Sequence, residues 1–116
     1  MKNTLIKYKY PFESSSGYTP QFKSYWLSFN REMKTLLKSI GATDIDLHRG
    51  HFYTSGFFKM PDGQWWYISQ SDLRSFKDGK MLIRTASGPK DYTGGVNQYV
   101  RFDEDLRNNI LRVVKR

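Results

Sequence analysis

Apolar side chains recur at Phe22, Tyr25, Trp26, Phe29, Met33, Leu36, Leu37 and Ile40. This i, i+3, i+4, i+7 spacing predicts an amphipathic helix with one buried face. Thr19 suits its N-cap, and Pro20 its first turn, where a missing amide hydrogen costs nothing. Gly41 follows the last periodic position, where a left-handed residue ends a helix. The opposite face carries Lys23, Asn30, Arg31, Lys34 and Lys38.

Over residues 44–69 the period drops to two. Ile45 and Leu47 open a strand, Gly50 marks a bend or bulge, and residues 52–60 run into Pro61, Asp62 and Gly63. Pro-Asp-Gly predicts a type I turn with the glycine left-handed, folding residues 64–69 back as a hairpin. With Met60 opposite Gln64, the register sets Lys59 against Trp65, Phe58 against Trp66 and Phe57 against Tyr67. One face then holds Phe52, Thr54, Gly56, Phe58, Met60, Trp66 and Ile68, expected to be core for the helix. The other holds His51, Tyr53, Ser55, Phe57, Lys59, Trp65, Tyr67 and Ser69, aromatic but mixed with polar groups.

Weaker patterns complete the chain. Residues 4–12 alternate as a short edge strand guarded by lysines, and residues 71–76 suit one helical turn. Residues 81–86 and 96–102 read as strands around a turn-rich loop, 87–95. Asp103 is placed to cap a terminal helix, with Glu104 and Asp105 in its first turn and Arg112, Lys115 and Arg116 at its end, complementing the helix dipole. The expected order is β–α–ββ–turn–ββ–α. It implies an α+β fold: an antiparallel sheet of about four to five strands, with the long amphipathic helix and a C-terminal helix packed on one face. A length of 116 residues suits a single domain spanning 1–116.

Composition narrows the chemistry. There is no cysteine, which excludes disulfides, thiolate metal sites and cysteine nucleophiles. No apolar run approaches the ~20 residues of a membrane span, and the first ten residues lack the apolar stretch of a secretory leader. A cytoplasmic protein without a membrane partner is expected. The formal net charge of +8 points to a polyanion, either nucleic acid or an acidic protein face. Residues 42–70, where the aromatics concentrate, are the one stretch with more acid than base: Asp44, Asp46 and Asp62 against Arg49 and Lys59.

The candidate binding residues follow from these two excesses. Tyr53, Trp65 and Tyr67 suit base stacking, while Lys59, Arg84 and the helical Lys23, Arg31, Lys34 and Lys38 suit phosphates. In the loop at 87–95, Lys90 and Tyr92 are placed to clamp a backbone phosphate. That loop lacks a Gly-Lys-Ser/Thr ending and a strand follows it, which excludes a nucleotide triphosphatase. His48 and His51, three apart on a regular strand, face opposite ways, so no metal site is expected. No cofactor is implied. A metal-independent ribonuclease built from His51, Tyr53, Arg84 and Lys90 is the enzymatic alternative.

The wording of Gly50-His-Phe-Tyr-Thr-Ser-Gly-Phe-Phe58, Trp66-Tyr-Ile-Ser69, Asp72-Leu-Arg74, Met81-Leu-Ile-Arg-Thr-Ala86 and Lys90-Asp-Tyr-Thr-Gly-Gly95 resembles a group of small proteins of phages and mobile elements of Gram-positive bacteria. The resemblance covers roughly the central half of the chain and brings no catalytic residues with it. It implies an accessory role of the kind played by anti-CRISPR proteins, inhibitors of host nuclease defence. The leading expectation is therefore a non-enzymatic protein that binds nucleic acid or a nucleic-acid-bound host nuclease. The alternative is a protein–protein inhibitor using the aromatic sheet face, with Trp65, Tyr67 and Phe57 as its patch and no nucleic-acid contact.

Overall fold

The computed structural model describes residues 20–50, 53–70, 80–89, 95–102 and 105–115, with side chains from Ser24 onward. The expected strand at 4–12 and helical turn at 71–76 lie outside these residues. Helix α1 (Pro20–Ser39) leads into five strands, β1 (Thr43–Arg49), β2 (Thr54–Lys59), β3 (Trp65–Gln70), β4 (Lys80–Ala86) and β5 (Gln98–Arg101). Helix α2 (Leu106–Val114) closes the order. The strands form one antiparallel sheet in sequence order, β1-β2-β3-β4-β5. This is the α+β architecture that the periodicities imply.

Helix α1 ends as its glycine requires. Gly41 has φ +97°, its amide donates to Lys38 O at 3.0 Å, and the Ala42 amide donates to Leu37 O at 3.0 Å. The pair of bonds satisfies carbonyls that the helix leaves open, and Leu37 and Ala42 both enter the core.

The β2–β3 hairpin has the register set by its turn: Lys59 faces Trp65, Phe58 faces Trp66 and Phe57 faces Tyr67. Met60 and Gln64 close the turn through a 2.9 Å bond, and Gly63 takes φ +90°. Two details differ from expectation. At Gly50 the chain does not bend within one strand but folds back: the Gly50 amide donates to Tyr53 O at 2.9 Å, and β1 pairs antiparallel with β2. The irregularity lies instead between Thr43 and Asp46, where Asp44 adopts φ 51°, a conformation that a short polar side chain tolerates better than most.

Strand alternation gives the sheet two unlike sides. Leu47, Phe58, Trp66, Ile68, Met81, Ile83, Val100 and Phe102 belong to the same core cluster as Tyr25, Phe29, Met33, Leu36, Leu37 and Ile40 of α1. Leu106, Ile110, Val113 and Val114 of α2 join that cluster, so both helices cover one side of the sheet. Helix α2 begins at Leu106 with Asp105 at its N-cap, later than an Asp103 cap would set it. The Asp105 carboxylate caps no amide; it accepts from Asn108 Nδ2 at 2.8 Å. One buried polar group runs through the core. The hydroxyls of Tyr25 and Thr54 donate to Gln70 Oε1, the second at 2.9 Å. Burial pushes the Tyr25 phenol far above its ordinary range, so it stays neutral and serves as a donor.

Gly56 marks a close approach of β2 to β1. A Cβ there would stand 2.4 Å from Leu47 Cδ2, 2.7 Å from Asp46 O and 3.0 Å from Leu47 Cα. Two of those atoms are backbone, so β1 itself must shift to make room. Gly56→Ala is expected to cost about 1–3 kcal/mol of stability, read from a denaturant midpoint. An unchanged midpoint would contradict this strand packing.

Candidate nucleic-acid interface

Two layers carry the candidate residues, and they face opposite ways. On α1, at 100° per residue, Arg31, Lys34 and Lys38 fall within an arc of about 60°, opposite the stripe from Tyr25 to Ile40 that enters the core. Arg31 and Lys38 are exposed and Lys34 is half-buried. Lys23 lies in the first turn of α1, before the described side chains. Arg31 meets Glu32 at 3.8 Å with its own side chain 72% exposed, a contact worth little in water.

The basic surface continues onto the second helix. The Arg107 guanidinium donates to Ser39 Oγ at 2.9 Å and to Ser39 O at 3.1 Å. It therefore fastens the start of α2 to the C-terminal end of α1, where a cation complements the helix dipole. Among the described side chains the helical layer holds Arg31, Lys34, Lys38, Arg107, Arg112 and Lys115 against Glu32 and Asp105. The other acidic residues among those described, Asp44, Asp46 and Asp62, belong to the sheet and its hairpin turn, whose strands also carry Arg49, Lys59, Lys80, Arg84 and Arg101.

Across the sheet, the side away from the helices holds Ser55, Phe57, Lys59, Trp65, Tyr67, Ser69, Leu82, Arg84, Tyr99 and Arg101, by strand register. It is less open than a stacking platform would be. Phe57 is 5% exposed and Ser69 and Ala86 are buried, while Trp65 and Tyr67 are half-buried. The rings of Phe57 and Tyr67 lie 5.0 Å apart, and Lys59 Nζ sits 6.0 Å from the Trp65 ring. Arg84 is committed to the fold, donating to Asn97 Oδ1 at 2.9 Å and to Gly95 O at 2.7 Å. Tyr53 is 47% exposed beyond the start of β2.

The cations of α1 and the sheet aromatics Trp65 and Tyr67 are thus not one surface. A helix and a sheet lie between them, roughly 20 Å of protein. Lys90, Tyr92 and His51 fall outside the described residues. Tyr53 and Arg84 are not neighbours either: Arg84 pairs with Tyr67, whose partner Phe57 stands four residues along β2 from Tyr53. His48 meets Asp46 at 3.2 Å on exposed β1. Among the described residues, no group of three metal-ligating side chains comes together and no helix is long and apolar enough to cross a membrane.

A further arrangement joins β5 to α2. Tyr99, Val100, Arg101, Asn109, Arg112 and Val113 line an open groove of about 540 Å³. Asn109, 9% exposed, donates from Nδ2 to Arg101 O at 3.0 Å and accepts at Oδ1 from Arg112 Nη2. The sequence carried a signal for this. Asn109 falls on the buried stripe of Leu106, Ile110, Val113 and Val114, and an amide in such a place must find partners.

No family model, curated protein or solved structure matches this chain.

Proposed function

We propose that the protein is a non-catalytic binding protein whose partner is a nucleic-acid backbone, met by the outer face of the helical layer. The observation that supports this reading is a cation arc on α1 that continues through Arg107 onto α2, where the described side chains set Arg31, Lys34, Lys38, Arg107, Arg112 and Lys115 against Glu32 and Asp105. From Arg31 to Lys38 the helix rises about 10 Å, a length over which one strand of duplex presents about three phosphates. Contacts of that kind fix position without reading sequence. In this reading the physiological polyanion is the nucleic acid held by a host nuclease, and occupying it blocks the nuclease, in keeping with the mobile-element resemblance.

One observation favours a second reading. Leu27, 59% exposed, lies within the same arc as Arg31, Lys34 and Lys38. An apolar side chain gains nothing from a phosphate backbone but suits a protein surface with an acidic rim.

Salt separates the two readings. With three phosphates neutralised, log Kobs should fall against log[salt] with a slope of about −2.7. Binding of a labelled duplex, followed by fluorescence anisotropy, should therefore weaken about fortyfold between 50 and 200 mM salt. Absence of binding to any DNA or RNA at low salt removes the nucleic-acid reading and leaves the protein partner.

A further inference from the structure

We propose that β1 pairs antiparallel with β1 of a second copy of this chain. Leu47 then sits on the two-fold axis, and Asp46 of each copy faces His48 of the other. The proposal does not rest on the nucleic-acid reading above.

Strand β1 ends the sheet, and among the described residues no strand pairs with its outer side. The Gly50 amide donates to Tyr53 O, and hydrogen-bonded pairs alternate along an antiparallel ladder. His48 and Asp46 therefore turn their backbone groups toward β2, while Leu47 turns its amide and carbonyl outward. Two copies of Leu47 can exchange both bonds about a two-fold axis. The side chains agree with that placement. Leu47 and the half-buried Ile45 lie on the helical side, where two copies lay apolar groups together. On the opposite side, Asp46 and His48 are 54% and 48% exposed and meet at 3.2 Å within one chain. Pairing sets each carboxylate across from a second imidazole, at a position where cross-strand side chains stand closest.

Charge selects this partner and this register. β1 carries its acids first, Asp44 and Asp46, and its bases last, His48 and Arg49. Antiparallel copies lay the acidic half of one along the basic half of the other. Charges on an edge strand ordinarily ward off pairing. Here they exclude the wrong registers: a shift of two residues sets Asp46 against Asp46, and the reverse shift sets His48 against His48. Residues 42–70 hold more acid than base, so the net charge of +8 repels a second copy least at this edge. The other edge suits a second copy less. β5 has four residues, Asn109 Nδ2 occupies the Arg101 carbonyl, and Arg101 stands opposite Lys80. A two-fold axis normal to the sheet keeps each layer on its own side, so both α1 cation arcs would face the same way.

The test is the mass of the full chain by sedimentation equilibrium, without nucleic acid, at about 150 mM salt to screen distant charges. Mass should rise with concentration from 13.7 kDa by about twofold. Asp46→Arg sets a cation against His48, and His48→Asp sets acid against acid, so each alone should stay at the single-chain mass. Both side chains are about half exposed, so the fold is kept, and an unchanged circular dichroism spectrum checks it. Mixed in equal amounts, the two variants should return to the doubled mass. The introduced arginine then faces the introduced aspartate at one contact, and Asp46 faces His48 at the other. A single-chain mass at every concentration overturns the proposal, and slow exchange of the Leu47 amide in that monomer gives the edge to the chain's own residues 4–12. Doubling that survives either single substitution places the interface elsewhere and overturns it too. Single variants that lose the doubling, with a mixture that does not recover it, overturn the two-fold register.

Discussion

Replacing Phe58 by alanine should lower the free energy of unfolding by about 3–5 kcal/mol, the range for deleting a buried aromatic ring. Phe58 is 0% exposed and lies on the core side of β2, in one cluster with Phe29 and Met33 of α1 and Ile110 of α2. A cavity at that position removes contacts from the sheet and leaves a void that close-packed neighbours fill only in part. Small domains have only about 5–15 kcal/mol in total, so a visible unfolded fraction at 37 °C is the expected consequence. Leu27→Ala is the control: at 59% exposure it should stay within about 0.5 kcal/mol. Urea denaturation followed by tryptophan fluorescence measures both. A Phe58→Ala midpoint equal to that of Leu27→Ala is incompatible with a core shared by the sheet and both helices.

Most of this architecture could be read from local chemistry. The Phe22-to-Ile40 stripe defined α1, Gly41 its end, and Pro61-Asp62-Gly63 the register of the hairpin. Each is a short-range signal in which the residue type and the backbone conformation coincide. Gly50 was less informative, because a glycine inside an alternating pattern permits a bulge, a bend or a full reversal alike. The choice among them depends on whether β1 finds β2 as a partner, and that pairing passes through the close contact of Gly56 with Leu47. The helix start after Asp103, Glu104 and Asp105 was ambiguous for a related reason, since three consecutive acids all suit a first turn.

Alternation by itself divides the binding residues between two layers. If the Phe58 face is core for α1, the cations on the far side of the helix and Trp65 and Tyr67 on the far side of the sheet must point apart. What no periodicity conveys is the covering of a face. Phe57 and Phe58 are adjacent, of the same type and almost equally buried, yet only Phe58 belongs to the core cluster. The groove beside β5 needed tertiary structure as well, because Asn109 reaches the Arg101 carbonyl only once α2 docks there.

Reversing the charge arc should have the largest effect on binding. In Arg31→Glu/Lys34→Glu/Lys38→Glu, three cations become three anions on one helical face, and duplex affinity near 100 mM salt should fall more than a hundredfold. The salt slope should approach zero, because no counterions remain to be released at that face. Glutamate is a good helix former, so the loss is not one of folding. The exception is position 38, where a negative charge in the last turn of α1 costs about 0.3–1 kcal/mol against the helix dipole. Lys59→Glu supplies the comparison. It also removes a cation, but from the sheet side beside Trp65, a helix and a sheet away from the arc. It should change duplex affinity by no more than about threefold, the residue of long-range attraction at that salt. If Lys59→Glu instead matches the triple variant, the backbone lies across the sheet and the helical layer is merely its solvated counterpart. If both variants bind as the unaltered chain does, the net charge of +8 serves solubility or a protein partner, and Leu27 becomes the residue to follow.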